Sequence, residues 1–187
     1  NAKNKANDEI IFAIRFLEGE ATNSNGTFTY NVGTGSTKNR YQANGEVFGD
    51  ALDIQNTGNQ TYEYNKAVYQ NFDDADTRKE ATFIASYNKD GKTGELSLYG
   101  THVRKNIGYV NAQGARVYFY RLPWVYLTLA EIANMEGDNA AVAKYINLVR
   151  KRAYGNAWDE TLYAYPETAD FTTNELAILH EKDKEFI

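Results

Sequence analysis

Residues 121–155 read RLPWVYLTLAEIANMEGDNAAVAKYINLVRKRAYG, and this stretch decides the fold class. Leu122, Val125, Tyr126, Leu129 and Ala133 recur at helical spacing and define one apolar face. Trp124, Leu127 and the stem of Glu131 form a second stripe. A helix apolar on two sides is expected between layers, with Trp124 in the core. Pro123 stands at the helix start, where its missing N–H costs nothing. Gly137 is a natural left-handed stop, and Asp138 or Asn139 can cap the helix that follows. Val142, Tyr145, Ile146, Val149 and Ala153 carry the buried face of that second helix, while Ala140, Ala141 and Ala143 permit close packing. Arg150, Lys151 and Arg152 suit its C-terminal dipole, and Gly155 ends it. Two antiparallel helices joined by so short a turn form a hairpin of the tetratricopeptide type.

A third helix is expected after a loop. Thr172 reads as its cap, Glu175 as the residue reaching back, and Phe171 as a staple on Leu176. Leu176, Leu179 and Phe186 extend an apolar stripe. The chain stops at Ile187 with no C-cap signal, which reads as a helix cut short.

Upstream, Ile10, Phe12 and Ile14 alternate as in a strand. Residues 18–66 are rich in Asn, Gly, Thr, Ser and Gln, with turn signals at Asn25-Gly26 and Asn44-Gly45. So long an irregular stretch usually has a functional reason. A short helix is expected around residues 65–70. Residues 81–87 and 96–99 flank Asp90, Gly91 and Gly94 as a first β-hairpin, and residues 102–110 and 115–120 read as a second.

The lettering of residues 121–155 resembles the C-terminal helical region of the SusD/RagB family, and residues 174–186 extend the match. Residues 9–16 resemble the strand that leaves that family's N-terminal helical half. Asp76-Thr77-Arg78 resembles its D-x-R signature, which a strand follows. The order of these segments is the family's order. The resemblance implies an α+β fold, mostly α in relatives, with tetratricopeptide-like helical hairpins packed with a loop-rich region and short β-hairpins. It divides the chain into an irregular, ligand-binding region at 1–120 and a helical region at 121–187, truncated at its end, together a fragment of one domain.

The same resemblance implies a binding protein, not an enzyme. It would capture an oligosaccharide or polysaccharide at the outer-membrane surface and deliver it to a SusC-like, TonB-dependent transporter. The membrane would be reached only through an N-terminal lipid anchor that this chain does not contain. No cofactor is implied.

Composition sets bounds. The chain has 187 residues, 42% of them hydrophobic, and a net charge of −5, which argues against a nucleic-acid partner. No apolar run is long enough to span a bilayer. The absence of cysteine excludes disulfides and thiolate metal sites within these residues. Tyrosine is abundant, at 15 residues against one methionine, and Tyr with Asn suits wet surfaces that stack on and bond to ligands. Any single Tyr is better explained as a strand residue.

Chemical motifs are weak. Gly33, Gly35 and Lys38 stand in the wrong order for a phosphate loop. His102 and His180 belong to no metal or zinc-protease pattern. Asp73, Asp74 and Asp76 lack calcium-loop spacing. Asp76 and Arg78 are instead expected to tie their loop to a neighbouring strand. Neither a nucleophile elbow nor a distinct carboxylate pair stands out.

The aromatics of the irregular region (Phe28, Tyr30, Tyr41, Phe48, Tyr62, Tyr64 and Tyr69) are the best ligand-binding candidates, since sugar C–H faces stack on aromatic planes. Tyr30, Tyr41 and Phe48 are singled out, with Trp158 added from the loop after the second helix. The favoured reading of Trp158 is a lid over the helix pair. An alternative function is a helical-repeat scaffold for protein or peptide, with no sugar site. The apolar faces of residues 122–133 would normally pack against further helices, so exposed apolar surface is expected.

Overall fold

The computed structural model describes residues 8–14, 39–48, 63–103 and 117–187. Phe28, Tyr30, Tyr62, the glycine-rich residues 32–38 and residues 104–116 lie outside the described residues. The elements are β1 (Ile10–Ile14), α1 (Lys66–Gln70), α2 (Thr77–Thr82), β2 (Phe83–Lys89), β3 (Leu96–Val103), β4 (Val117–Arg121), α3 (Leu122–Glu136), α4 (Asn139–Tyr154), α5 (Glu160–Tyr163) and α6 (Phe171–Phe186). The architecture is α+β, with two two-stranded sheets, β1-β4 and β2-β3. Two compact units form. One holds the described residues 39–48, 63–72 and 79–103 with Val117, and the other holds 8–14, 73–78 and 118–187.

In the first unit, β2 and β3 are antiparallel, with Phe83 opposite Val103 and Lys89 opposite Leu96 and a bulge between Ser86 and Tyr87. Their turn is held by Asp90, whose Oδ1 accepts the N–H groups of Lys92 and Thr93, both at 2.7 Å. Those backbone donors, Thr93 first, keep the Asp90 carboxyl below its ordinary range. The short helix α1 forms as expected, capped by Asn65, which accepts from the Ala67 N–H. The expected second β-hairpin lies largely outside the described residues, since 104–116 are not among them. His102 lies in β3, and β4 pairs with β1. The pairing of β4 with β1, more than a hundred residues away, was not legible from local alternation.

In the second unit, α3 ends at Gly137, whose φ of +75° places it in the left-handed region that glycine tolerates best. Asp138 caps α4 by accepting from the Ala141 N–H at 2.9 Å. The core joins Leu127 and Ala130 of α3, Val142, Ile146 and Val149 of α4, and Ile178 of α6. The buried face of α3 therefore runs through Leu127, Ala130, Ala133 and Asn134. Trp124 is not core but 42% exposed: of the second stripe only Leu127 turns into the core, at 0% exposure.

Helix α6 departs from its sequence reading in two ways. Its cap is Asp170, not Thr172: the carboxylate accepts from the Thr173 N–H at 2.7 Å, which also holds it below the ordinary range. Glu175 does not reach back to the cap but accepts from Asn134 Nδ2 at 2.7 Å, and Phe171 and Leu176 are both exposed. The buried face is also mostly polar, comprising Asn174, Ile178, Glu181 and Glu185.

That polar face explains the D-x-R segment. Arg78 binds Asp76 through Nε and Nη2, at 2.9 Å to Oδ1 and 2.6 Å to Oδ2, and then reaches Glu181 Oε2 at 2.9 Å. The segment is thus tied to a helix, not to a strand. Arg150 also binds Glu181, at 2.8 Å, and Arg121 binds Glu185 at 2.7 Å and Glu9 at 3.1 Å. Arg152 bonds to both Glu185 and Glu9. Four guanidinium groups thus meet four carboxylates, so the named charges balance. Burial works against the Arg78 charge, but its bond to Asp76 and the fields of Glu181 and Asp76 raise its pKa above the ordinary value.

Candidate ligand-binding site

Residues 40–48 form a small hairpin beside β2. Tyr41 and Tyr87 exchange both backbone hydrogen bonds, at 2.9 and 2.8 Å. The Gln42 N–H donates to Glu46 O and the Phe48 N–H to Arg40 O, which closes the loop. Asn44-Gly45, legible in the sequence as a turn, sits at its tip, and Gly45 has a φ of +82°. Asn44 Oδ1 accepts the Glu46 N–H at 3.0 Å. Tyr41 and Phe48 are therefore presented, half-buried, from a loop fixed at five backbone contacts.

The surroundings of Tyr41 are cationic and polar. Lys89 Nζ lies 5.4 Å from the centre of the Tyr41 ring. The neighbouring Arg40 places its guanidinium 3.5 Å from the Tyr99 ring centre and donates from Nη1 to Asn88 Oδ1 at 2.6 Å. The consequence for stacking differs between the two rings. A close, hydrogen-bonded guanidinium covers one face of Tyr99, whereas only an exposed, flexible lysine caps Tyr41. A sugar ring could displace the lysine while keeping its charge nearby. Arg40, Asn88, Lys89 and Tyr99 were not among the sequence candidates. The strand alternation that pairs them with residues 40 and 41 becomes visible only once the register is known.

Two other candidates have packing roles. Tyr64 and Tyr69 meet the buried Phe83 edge-on, with centroids 6.2 and 5.9 Å away, as does Phe72 at 5.9 Å. Together they form the small aromatic core under β2 and β3.

Trp158 lies in the other unit, in the segment between α4 and α5, and is half-buried. Its ring meets Tyr154 edge-on at 6.2 Å and tilts against Tyr163 at 6.5 Å, and Tyr154 and Tyr163 stack at 4.1 Å. Its Nε1 is buried with no hydrogen-bond partner among the described residues. Burial, helped by the charges of Asp73 and Asp76, pushes the Tyr154 hydroxyl up to about 12. Trp158 thus packs against the Tyr154–Tyr163 stack, with Lys151 Nζ 5.4 Å from its ring centre.

Among the described residues no group of three or more His, Asp or Glu is placed to hold a metal ion. Ser86 and His102 touch at 3.0 Å and are fully buried.

The SusD family model matches residues 90–187. No curated protein matches the chain. Among solved structures, a SusD superfamily protein from Bacteroides fragilis is 97% identical, with a TM-score of 0.87, and the match covers 100% of this chain and 39% of that one. A SusD superfamily protein from Bacteroides vulgatus is 26% identical, with a TM-score of 0.80, over 100% of this chain and 44% of that one. NanU of B. fragilis is 26% identical, with a TM-score of 0.76, over 100% of this chain and 42% of that one. The chain thus spans about two-fifths of the length of the structures it matches.

Proposed function

The chain belongs to the SusD family, and from that premise we propose that it forms part of a cell-surface protein that binds an oligosaccharide or polysaccharide. The full protein would be held at the outer membrane by an N-terminal lipid anchor and would pass its glycan to a SusC-like, TonB-dependent transporter. The ligand-binding region lies within residues 1–120, carried with the helical region 121–187 in one domain. No bond is made or broken. Binding comes from sugar C–H faces on aromatic planes and from hydrogen bonds to ring hydroxyls.

The observation that carries this reading is the hairpin at 40–48. Tyr41 is locked into β-pairing with Tyr87, with its side chain half-exposed and the ammonium of an exposed lysine beside its ring. A pre-ordered ring costs little entropy to engage, and an exposed lysine supplies a donor to hydroxyls. Phe48 is the second contact carried by this hairpin, Tyr30 is assigned to the site from the sequence alone, and Trp158 is a separate contact in the other unit.

Affinity electrophoresis of the full-length protein against a panel of soluble polysaccharides tests the proposal. Retardation by at least one glycan, weakened by Tyr41→Ala or Phe48→Ala, is the expected result. Unchanged mobility in every polysaccharide would refute glycan capture. Retardation indifferent to both substitutions would remove the hairpin from the site.

A further inference from the structure

The hairpin at 40–48 has two faces. Its pairing sets Arg40 opposite Phe48 and Tyr41 opposite Val47. Cross-strand partners point to the same face and successive residues to opposite ones. Tyr41 shares its face with Lys89, and Arg40 shares the other with Phe48. On that second face the Arg40 guanidinium lies 3.5 Å from the Tyr99 ring centre and is held by its bond from Nη1 to Asn88 Oδ1.

The other arginines among the described residues all meet acids. Arg78 pairs with Asp76, Arg121 and Arg152 with Glu185, and Arg150 with Glu181. Arg40 alone among the described arginines has no carboxylate at ion-pair distance. The acids of the hairpin and of the β2–β3 turn are engaged locally. Glu46 accepts from Asn44 Nδ2 at 3.0 Å, and Asp90 accepts the N–H groups of its own turn. Arg40 Nε is buried without an acceptor, and its Nη2 makes no hydrogen bond among the described residues. These two nitrogens form the edge through which Arg78 grips Asp76, at 2.9 and 2.6 Å. One molecule thus shows that edge filled by a carboxylate at Arg78 and empty at Arg40.

A buried donor without an acceptor is a standing cost that an incoming oxygen removes. The guanidinium fork suits an oxyanion, which brings two oxygens and a charge, whereas a sugar hydroxyl brings one oxygen and none. Tyr99 and Asn88 already fix the guanidinium, so little side-chain entropy is lost on binding. Lys89, on the opposite face, adds a second positive charge to the hairpin.

We propose, resting on the glycan-binding reading above, that the glycan taken by this hairpin is acidic and that Arg40 receives its carboxylate or sulfate on the Nε–Nη2 edge, beside Phe48.

The full-length protein is run in native gels containing acidic polysaccharides (polygalacturonate, alginate, hyaluronan, chondroitin sulfate) or neutral ones (starch, dextran, xyloglucan, galactomannan). The chain carries a net charge of −5, so its bulk charge does not draw it to a polyanion. At least one acidic glycan should retard it. Reducing that glycan's carboxyls to alcohols, or removing its sulfates, should weaken binding about tenfold or more, and the treatment that does so identifies the group. Arg40→Gln should weaken binding of the untreated glycan about tenfold or more. Lys144→Gln, an equal change of charge at an exposed lysine in the other unit, should not. Arg40→Gln and wild type should bind the uncharged derivative alike. Retardation by neutral glycans alone overturns the proposal and leaves glycan capture standing. An Arg40→Gln loss of equal size against the uncharged derivative overturns it too, because Arg40 then acts only as support for Tyr99. Retardation in no gel refutes glycan capture itself. Should Arg40→Gln open the hairpin, seen as lost exchange protection of the Tyr41 and Tyr87 amides, the derivatives decide on unsubstituted protein: equal binding of the charged and uncharged forms overturns the proposal.

Discussion

Replacing Arg78 with methionine should loosen α6 more than any surface substitution in the chain. Asp76 is fully buried, and the Arg78 side chain makes three contacts to its carboxylate, at 2.9, 3.2 and 2.6 Å. With the guanidinium gone, Asp76 keeps only the N–H of residue 78, at 3.0 Å, and is left as a buried, uncompensated charge. Breaking a buried ion pair from one side costs ~3–5 kcal/mol. The lower end applies here, because Glu181 retains Arg150 and Glu185 retains Arg121 and Arg152. About 3 kcal/mol corresponds to roughly a hundredfold in the opening equilibrium. Native-state amide exchange along α6 of the full-length protein reads that number directly. The second variant, Asp76→Leu with Arg78→Met, should recover at least about half of the loss, since removing both partners leaves no orphaned charge at Asp76. Exchange in the single variant within twofold of wild type, or a double variant as unstable as the single, would refute the reasoning.

Other substitutions test the remaining structure. Asn174→Ala removes one acceptor and two donor contacts, to the Tyr165 hydroxyl at 2.8 Å, Asn134 at 2.9 Å and Asn139 at 3.0 Å. Stranding these polar groups should cost ~2–3 kcal/mol in denaturant unfolding, and Asn174→Asp should not restore it. Gly45→Val places a β-branched residue at a φ of +82°, so it should weaken glycan retardation while leaving α6 exchange unchanged. Tyr154 titrates near 12 in the folded protein against about 10 unfolded. The neutral phenol therefore contributes stability below pH ~10 that is lost as pH rises toward ~12. Across that window Tyr154→Phe should lose less stability than wild type, as followed by unfolding midpoints at fixed pH steps.

The helical hairpin was largely legible in the sequence because its signals are local. Gly137, Asp138, Gly155 and the spacing of Val142, Ile146 and Val149 each act within a turn or two. The orientation of α3 was less so. Its buried face, through Leu127, Ala130, Ala133 and Asn134, cuts across the two stripes read from the sequence, so Leu127 proved central and Trp124 of the same stripe did not. Helix α6 misled the reading because its buried side is held by charges from four separate segments. The D-x-R letters showed that a tie exists, but its partners, Glu181 and Glu185, lie more than a hundred residues away. The site divided in the same way. Tyr41 and Asn44-Gly45 were visible as aromatic and turn residues, whereas Arg40, Lys89 and Tyr99 join them only through the bridge from Tyr41 to Tyr87.

The most direct test of glycan capture is calorimetric titration of the full-length protein with oligosaccharides of whichever polysaccharide retards it, for wild type and Tyr41→Ala. The account predicts saturable binding by wild type and a loss of about tenfold or more in affinity, ~1.4 kcal/mol, on removing the Tyr41 ring. The folded state should be unchanged by amide exchange. Equal affinities for the two proteins would contradict it.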